Sequence, residues 1–576
     1  MLFSMRELRM MLKSKLVMVT MLLAVLVLAT APTFISRNAQ GEEREVNIPP
    51  YLVDKLEMLS GMPASFLKSS LEEKDKLGDL HQGGRLSPVI PPWSSNIIIP
   101  PPPSLTLPQS EPSICANPLN PNQLVAIFHN IIVDGTGTPI PPFYGISAMR
   151  SLDGGVTWDG PFYLPIPNGY DVIYDPVTRW SSDGRVYASY IGLNATTSDT
   201  ALMIAYSDDS GATWSDLPII ANQETGDVGF LDKDWFDVSG NALAVSCTNF
   251  LNTGAVQIEV VISTDRGASW TSPIILAGPS TTNTLHGTHV EWGDSPGEIY
   301  VAWYDDKGTW LSGDFAIWIR RSTDYGGTWE APVLAATVPN ELPYVFYAKP
   351  GTYLPGDIRA WPSMFPHVAV DQEGNVYIVS TTNPDLQGAG WPNDQGDIVF
   401  IRSTDQGATW EPIKIFSIDN DQFFPAIGVQ SDGTVHITFG DRQYDTTTPN
   451  DDYDISYISS TDRGVTFTSP QLITDASSDP VVNTYFAPGA SVAVLVFAGD
   501  YFDVAVTDNA VHPIWGDRRG AKESTDYDIA TVRGEKLTPV GGVIQPTSIG
   551  ILLPLAILIS TTGTILFTLK KIRKIK

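Results

Sequence analysis

Three arginines and a few acids and aromatics are the side chains of this 576-residue sequence that could do chemistry on a ligand. The planar N–H fork of arginine binds carboxylates in a bidentate way, so Arg359, Arg442 and Arg518 are candidates for an anion site. Asp234 and Tyr501 are the candidates for acid/base and nucleophilic roles. Further ligand-binding candidates adjoin them: Trp235, Asp441 and Asp517. Bond cleavage would require two such groups on either side of one bond, which spacing along the chain does not show.

The tripeptide Gly-Asp-Arg occurs twice, at residues 440–442 and 516–518, each time after a β-rich run. In one interpretation the arginine presents its donor fork to a ligand. In the other, the adjacent Asp and Arg form ion pairs that brace neighbouring repeats, because structural ion pairs also produce such clusters. The sequence leaves both open.

A pattern of eight residues, S-x-D-x-G-x-T-W, recurs along most of the chain in six near-identical copies, with Phe467 replacing Trp in the last. Their aspartates are 56, 56, 59, 81 and 57 residues apart: Asp153, Asp209, Asp265, Asp324, Asp405 and Asp462. A period of this size indicates a repeat architecture and is too long for the helical solenoids.

The eight-residue motif is the end of a longer unit with four short β-rich runs, named here A to D. The motif lies at the turn between C and D. Six full units and one incomplete unit follow one another, which predicts an all-β propeller of four-stranded blades. Seven blades are favoured and six are the alternative. The last blade is expected to be completed by the N-terminal segment at residues 96–107.

The residue types of the motif suit a tight turn. The aspartate can accept hydrogen bonds from its own turn, the glycine can adopt a positive φ, and the tryptophan can pack between blades. The motif aspartates are therefore interpreted as hydrogen-bond acceptors that stabilise the turn and not as catalytic acids. The functional face is then expected at the other end of the strands, in the loops that enter A and leave B.

The six motifs resemble the Asp-boxes of the bacterial neuraminidase repeat, and the resemblance to the sialidase-like superfamily covers residues 112–533. It implies a β-propeller whose active site lies over the ring axis, opposite the Asp-boxes. The implied exo-α-sialidase site has three arginines that hold a carboxylate, a Tyr/Glu nucleophile pair and an Asp acid/base. The Phe/Tyr-Arg-Ile-Pro motif of that family is absent, and the corresponding stretch begins Glu111-Pro112.

The two ends of the chain predict export and anchoring. Residues 1–41 combine basic residues with an apolar run, which is typical of a signal peptide or a signal anchor. Residues 42–111 are expected to form a short helix and a proline-rich linker. After a linker at 534–548, the uncharged run 549–569 is long enough for a transmembrane helix. The basic tail 570–576 predicts a cytoplasmic C-terminus, with the propeller extracellular.

The net charge of −29 disfavours nucleic acid as a partner. Cys115 and Cys247 fall in non-neighbouring repeats and are expected to be buried thiols. His286 and His289 are placed in a loop without a third ligand, so no metal site is predicted there. No cofactor is predicted otherwise, although the acids at 445–454 could hold a structural Ca²⁺ as an alternative to being solvated.

Three functions remain compatible with these features. The first is a membrane-anchored surface propeller that binds a glycan or protein ligand on its axial face. The second is an exo-acting glycoside hydrolase of the sialidase type with a non-standard arginine clamp. The third is a structural surface component that uses the ring as a rigid spacer.

Overall fold

The computed structural model describes residues 35–37, 43–45, 93–99, 109–133, 139–308, 314–339, 365–382, 396–445, 452–478, 483–486, 493–496, 499–519, 528–535 and 543–544. Within these ranges the regular elements are β-strands, and no helix is long and apolar enough to cross a membrane. The predicted N-terminal helix and the predicted span at 549–569 lie outside them.

The strands preceding the ring are short. Strands β1 (Ile35–Arg37) and β2 (Glu43–Glu45) pair with each other in antiparallel fashion. The next strand is β3 (Ile97–Ile99), and it belongs to the last blade.

Blades 1 to 3 consist of four consecutive antiparallel strands each. Their bounds are, for blade 1, β4 (Gln109–Asn117), β5 (Asn120–Val133), β6 (Pro139–Ser151) and β7 (Asp159–Tyr163); for blade 2, β8 (Val172–Trp180), β9 (Val186–Leu193), β10 (Thr200–Ser207) and β11 (Ile219–Glu224); for blade 3, β12 (Gly229–Ser239), β13 (Ala242–Leu251), β14 (Val256–Ser263) and β15 (Ile274–Ser280). A single parallel bridge between β6 and β8 joins the first two sheets.

Blades 4 to 6 follow the same order. Their bounds are, for blade 4, β16 (Leu285–Trp292), β17 (Ile299–Asp305), β18 (Phe315–Ser322) and β19 (Val333–Val338); for blade 5, β20 (His367–Val370), β21 (Val376–Thr382), β22 (Asp397–Ser403) and β23 (Lys414–Phe416); for blade 6, β24 (Gln422–Val429), β25 (Val435–Asp441), β26 (Asp454–Ser460), β27 (Phe467–Thr468) and β28 (Gln471–Leu472). The outer strand of blade 6 is split between β27 and β28.

The seventh blade joins the two ends of the ring. A separate pair, β29 (Asn483–Phe486) and β30 (Ala493–Val496), comes before it. The blade itself consists of β31 (Asp503–Val506), β32 (Ala510–Asp517), β33 (Asp528–Thr531) and the N-terminal strand β3, which pairs with β33. Two final strands in the predicted linker, β34 (Gly534–Glu535) and β35 (Val543–Ile544), pair with β32 and β27. The described residues thus form seven four-stranded blades, and the predicted N-terminal completion is confirmed.

The innermost strands close into a ring. Strands β4, β8, β12, β16, β20, β24 and β31 neighbour one another in that order, and β31 returns to β4. Apolar side chains fill the spaces between blades, as where β8, β12 and β16 share one cluster of buried residues. The predicted buried thiols are confirmed, since Cys115 on β4 and Cys247 on β13 are both free and buried.

Each copy of the eight-residue motif forms the same hydrogen-bonded turn after the third strand of its blade. At residues 403–410, the Ser403 hydroxyl donates to Asp405, and Gly407 N–H donates to Ser403 Oγ. The backbone N–H and the hydroxyl of Thr409 both donate to the Asp405 carboxylate. In the third copy, hydrogen bonds of this kind lower the pKa of Asp265 to about 2. These bonds hold the turn within one short segment.

Arginines tie neighbouring blades together on this motif face. Arg150 donates to the carbonyl of Asp209 in the next blade at 3.0 Å. Arg402 likewise donates to the carbonyl of Arg463 in the next blade. The ring is closed in the same way, because Arg533 of blade 7 donates to the carbonyl of Gly154 at 3.3 Å. The motif face is therefore occupied by structural contacts, and the opposite face is the candidate for function.

Candidate functional site over the ring axis

Five of the seven innermost strands are bulged at the same level, near the end opposite the motifs. The pairing of each strand with its neighbour is interrupted between residues 110 and 113, 174 and 177, 232 and 235, 286 and 289, and 423 and 426. At each bulge one residue has a positive φ of 48° to 65°: Glu111, Asp175, Lys233, Gly287 and Phe424. Four of these are not glycine, and such strained backbone is concentrated at functional sites.

A small open cavity of about 20 Å³ lies among these bulges, which is roughly room for one water molecule. One part of its lining is aromatic and one part is polar. The lining residues are Lys233, Trp235, Thr288, His289, Phe365, Pro366, His367, Phe424, Pro425, Asp500, Tyr501 and Phe502.

The ammonium group of Lys233 lies in an aromatic cage at this cavity. Its Nζ is 4.3 Å from the ring centre of Tyr501, 4.5 Å from that of Trp235 and 5.4 Å from that of Phe365. Aromatic faces attract a cation placed in this way. Because these rings belong to different blades, the closed ring is what assembles the cage.

Carboxylates surround the same lysine. Asp175 Oδ2 accepts a hydrogen bond from the backbone N–H of Lys233 at 3.1 Å, and Asp175, Asp234, Glu111 and Asp500 all interact electrostatically with its ammonium group. Burial lowers the pKa of Lys233, and these carboxylates act in the opposite direction. The end of the axis thus carries more acids than bases.

The indole of Trp235 closes the channel beneath the cavity. Its ring centre is 4.5 Å from that of His289, 5.0 Å from that of His367 and 5.6 Å from that of Tyr501, and the Arg179 guanidinium lies 5.4 Å away. These four partners come from four other blades, so the indole lies at the ring axis.

A buried ionic layer lies on the far side of Trp235. Arg179 Nη1 is 3.3 Å from Asp503 Oδ2, and Arg179 Nε is 4.0 Å from Asp237 Oδ1. Asp503 also accepts hydrogen bonds from the Ser113 hydroxyl and from the backbone of Ile114 on β4. This layer links blades 1, 2, 3 and 7 and supports the floor of the cavity.

No protein-family model matches the sequence. A sialidase from Paraclostridium sordellii is 25% identical over 225 residues, which are 33% of this chain and 50% of the relative. This similarity and the seven-bladed propeller fit a sialidase-like superfamily. The match thus spans about half the length of that relative.

Solved structures with a similar fold include an α-L-arabinanase from Penicillium chrysogenum, with a TM-score of 0.42 and 16% identity, covering 64% of this chain and 98% of the other. An α-L-arabinofuranosidase from Fusarium graminearum has a TM-score of 0.41 and 12% identity, covering 77% and 98%. A sialidase from Trypanosoma rangeli has a TM-score of 0.36 and 14% identity, covering 65% and 55%.

Of the two candidate catalytic residues of this sialidase-like propeller, Tyr501 lines the cavity and Asp234 does not. The Tyr501 hydroxyl donates to the carbonyl of Pro176 at 3.1 Å, and burial raises its pKa well above the ordinary value, as do Glu111 and Asp175. The Asp234 carboxylate accepts a hydrogen bond from Ser189 on β9, and burial also raises its pKa. The structure therefore brings Tyr501 and Trp235 together and directs Asp234 into a contact between blades.

The arginine candidates lie elsewhere. Arg442 is 1% exposed, with its Nη1 3.5 Å from Asp421 Oδ2, and Arg518 is also buried. Neither lines the cavity. Arg359 lies outside the described residues, so the convergence of the three arginines stays a prediction.

The aspartates of the two Gly-Asp-Arg segments hold their own loops. Asp441 accepts hydrogen bonds from Gln422 at 3.1 Å and from the backbone of Gln443 at 2.9 Å. Asp517 accepts one from Trp515 Nε1 at 2.8 Å and forms an ion pair with Arg519. These contacts lie within single blades and do not involve the adjacent arginines, so both interpretations of the motif stay predictions.

The sequence predicts loops at residues 232–235 and 286–289, and this is wrong. Both stretches lie inside innermost strands, β12 and β16, because the bulges leave the strand pairing intact on either side. In the acidic stretch, Asp445 accepts a hydrogen bond from the backbone of Asp452, and Asp454 accepts from Thr474 and Ser477. No cluster of three His, Cys, Asp or Glu side chains suited to a metal occurs within the described ranges.

Lys233 is the central residue of the site, and sequence reasoning, which placed it on the functional face, gave neither it nor its partners Glu111 and Asp175 a role in binding. The sequence does contain a pattern that indicates the bulged positions of the innermost strands. The dipeptides Glu111-Pro112, Asp175-Pro176, Phe365-Pro366 and Phe424-Pro425 each lie within or directly before an innermost strand. Repeated X-Pro pairs at equivalent positions indicate an interrupted strand, since proline cannot donate to the sheet.

Proposed function

We propose that this protein is a membrane-anchored, extracellular sialidase-like propeller that binds glycans at the axial cavity. The predicted signal at residues 1–41 and the predicted span at 549–569 support this topology, with residues 570–576 in the cytoplasm. The glycan would lie across the mouth of this cavity, on the face opposite the motifs, because the cavity itself has room for roughly one water molecule or a single hydroxyl group.

The observation that carries the proposal is the two-sided lining of the cavity. Phe365, Phe424 and Tyr501 supply aromatic surface, and Lys233 and Asp500 supply a donor and an acceptor. A sugar ring offers C–H groups that pack on aromatic rings and hydroxyls that bond to charged groups. Binding pockets of this kind combine apolar walls with a few convergent polar groups.

Glycoside hydrolysis is the second candidate, favoured by one observation. The Asp232 carboxyl is buried, and burial together with Asp175 and Asp500 raises its pKa well above the ordinary value. A general acid must keep its proton at the working pH, and a raised pKa acts in that direction. The engagement of the Tyr501 hydroxyl with Pro176 disfavours the sialidase form of this chemistry.

The test is a glycan array probed with the full-length protein in detergent, followed by calorimetry on the best ligands. Lys233→Asn should weaken binding at least about tenfold, because the donor at the cavity is lost. Asparagine tolerates a positive φ, so the bulge is retained. The matched control is Arg266→Asn, which replaces another basic residue with positive φ, on the motif face.

Arg266→Asn should leave the dissociation constant within about twofold of the parent. Absence of binding to every glycan on the array, by protein whose circular dichroism shows the β-fold, would refute the proposal. Release of a fluorescent aglycone from glycosides by the same preparation, abolished by Asp232→Asn, would establish the hydrolase instead.

The topology is tested separately by adding protease to intact cells. The proposed orientation expects the propeller to be removed and a tag on the C-terminal tail to be protected. Protection of the propeller in intact cells, with cleavage only after lysis, would overturn the extracellular placement.

A further inference from the structure

The chain enters and leaves the ring at one place, the motif end of blade 7. Trp93, before β3, forms an isolated β-bridge with Gly534, after β33, and the backbone N–H of Ser94 donates to the carbonyl of Arg533 at 2.9 Å. The guanidinium of Arg533 in turn donates to the carbonyl of Gly154, in the motif of blade 1. Both ends of the ring therefore lie on the motif face.

The last strand of blade 7 runs toward this face. The turn between β31 and β32, like the motif turns, joins two strands at the end of the blade opposite the cavity, so β32 runs away from the motif face. Strand β34 pairs with β32 in antiparallel fashion, with Gly534 opposite Val511 and Glu535 opposite Ala510. The chain therefore leaves blade 7 in the direction of the motif face.

The linker is attached a second time, to blade 6, and it runs in the same direction there. Phe467 is the last residue of the sixth motif, so β27 leads away from the motif turn. Strand β35 is antiparallel to β27, with Ile544 opposite Phe467 and Val543 opposite Thr468. The chain thus runs toward the motif face again at Ile544, five residues before the predicted span at 549–569.

The chain between Ile544 and the predicted span is too short to reach the cavity end of the propeller. Five residues cover at most about 18 Å when fully extended. Strand β12 has 11 residues. At about 3.3 Å for each residue, such a strand separates the two ends of a blade by roughly 30 Å. A span that begins at residue 549 can lie beyond the motif face or beside the outer edge of blade 6, and the direction of β35 favours the motif face.

Provided that the proposed membrane anchor holds, we infer that the membrane lies on the side of the motif face and that the axial cavity opens away from the bilayer. The mouth of the cavity is then roughly 30 Å farther from the lipid than the motif turns are. The motif turns suit this position because their polar groups bond within the turn, as Asp405 does with Ser403 and Thr409. The proposed ligand site faces the medium.

Single labelling sites on two blades test this orientation. The native thiols of Cys115 and Cys247 are buried, so the parent protein should take up no dye and serves as the control. Each variant of the full-length protein is labelled with a donor dye and placed in vesicles whose headgroups carry an acceptor in both leaflets. The variants form one pair on blade 3 and one on blade 6, each with an exposed site on the motif face and another on the cavity face: Ser239→Cys with Thr253→Cys, and Thr461→Cys with Ser417→Cys.

Within each pair, energy transfer to the lipid should be at least about twofold more efficient from the motif-face site, because the ends of a blade are roughly 30 Å apart. A ratio of one or below in either pair would overturn the inferred orientation and leave the membrane anchor standing. An edge-on propeller would give that result, since both sites on blade 6 would then lie close to the lipid. Failure of the full-length protein to float with the vesicles would overturn the proposed anchor and the orientation together.

Discussion

The hydroxyl of Tyr501 donates a hydrogen bond to the backbone carbonyl of Pro176, 3.1 Å away, and so links blade 7 to blade 2. Blade 1 lies between these two blades in the ring, so the bond spans the axial end of the channel. It uses the phenolic proton, and burial raises the pKa of the same group. Tyr501 therefore behaves as part of the cavity wall and not as a prepared nucleophile.

Tyr501→Phe tests this relationship. The free energy of unfolding should fall by about 1 kcal/mol, because one buried hydrogen bond is lost and the Pro176 carbonyl is left without that donor. Glycan affinity should change by less than about threefold, since the ring itself remains. Urea unfolding and calorimetry measure the two quantities, and complete loss of a demonstrated hydrolase activity would instead identify Tyr501 as a nucleophile.

Arg442→Met separates bracing from ligand binding at the first Gly-Asp-Arg segment. Removing one partner of a buried ion pair leaves Asp421 charged and poorly solvated, which should lower the free energy of unfolding by about 3–5 kcal/mol. Glycan affinity of the folded fraction should not change. Arg266→Met is the control: that side chain is 44% exposed and pairs with Asp183, which is 27% exposed, so its loss should cost less than about 1 kcal/mol. A stable Arg442→Met protein that no longer binds would support the anion site.

The N-terminal strand β3 should be part of the folding unit. Ile99 is fully buried against blade 1 and blade 7, so Ile99→Ala should lower the free energy of unfolding by about 2–5 kcal/mol. Ile97→Ala, at a half-buried position of the same strand, should cost clearly less. Equal unfolding curves for both variants and the parent would show that the blade closes without this strand.

The parts of the structure that could be predicted from the sequence are those held by local contacts. The motif turn depends on Ser403, Asp405 and Thr409, which lie within seven residues of one another. The conformation of each copy can therefore be predicted from its local sequence. The spacing between the copies then predicts that each repeat forms one four-stranded blade. The completion of blade 7 was predicted because the last unit lacked a fourth run, and β3 supplies it.

The candidate site could not be predicted in this way because its members are far apart in the chain. Glu111, Lys233 and Tyr501 come from three blades, and only closure of the ring brings their side chains to one point. The bulges that position these side chains interrupt the strand pattern without ending the strand, so the sequence pattern predicts loops at these positions. The charged tripeptides at residues 440–442 and 516–518 suggest a ligand site by their composition, although their aspartates accept hydrogen bonds from residues of their own blades.

The raised pKa of Asp454 predicts that the free energy of unfolding falls as the pH rises from about 4 to about 6. Burial raises its pKa from 3.8 to about 6, so the folded state holds this proton more tightly than the unfolded state. The stabilisation is complete below the unfolded value and disappears as the pH rises through the folded value. A shift of about two units corresponds to roughly 3 kcal/mol.

Asp454→Asn should remove this pH dependence, because the amide keeps the size of the side chain and cannot ionise. Its oxygen can still accept from Thr474, and the hydroxyl of Ser477 can rotate to accept from the amide. Urea unfolding of the variant and the parent at pH 4, 5, 6 and 7 should give curves that diverge as the pH rises, with the variant relatively more stable by up to about 3 kcal/mol at pH 7. Stabilities that differ by a constant amount at all four pH values would show that Asp454 titrates alike in the folded and unfolded chains.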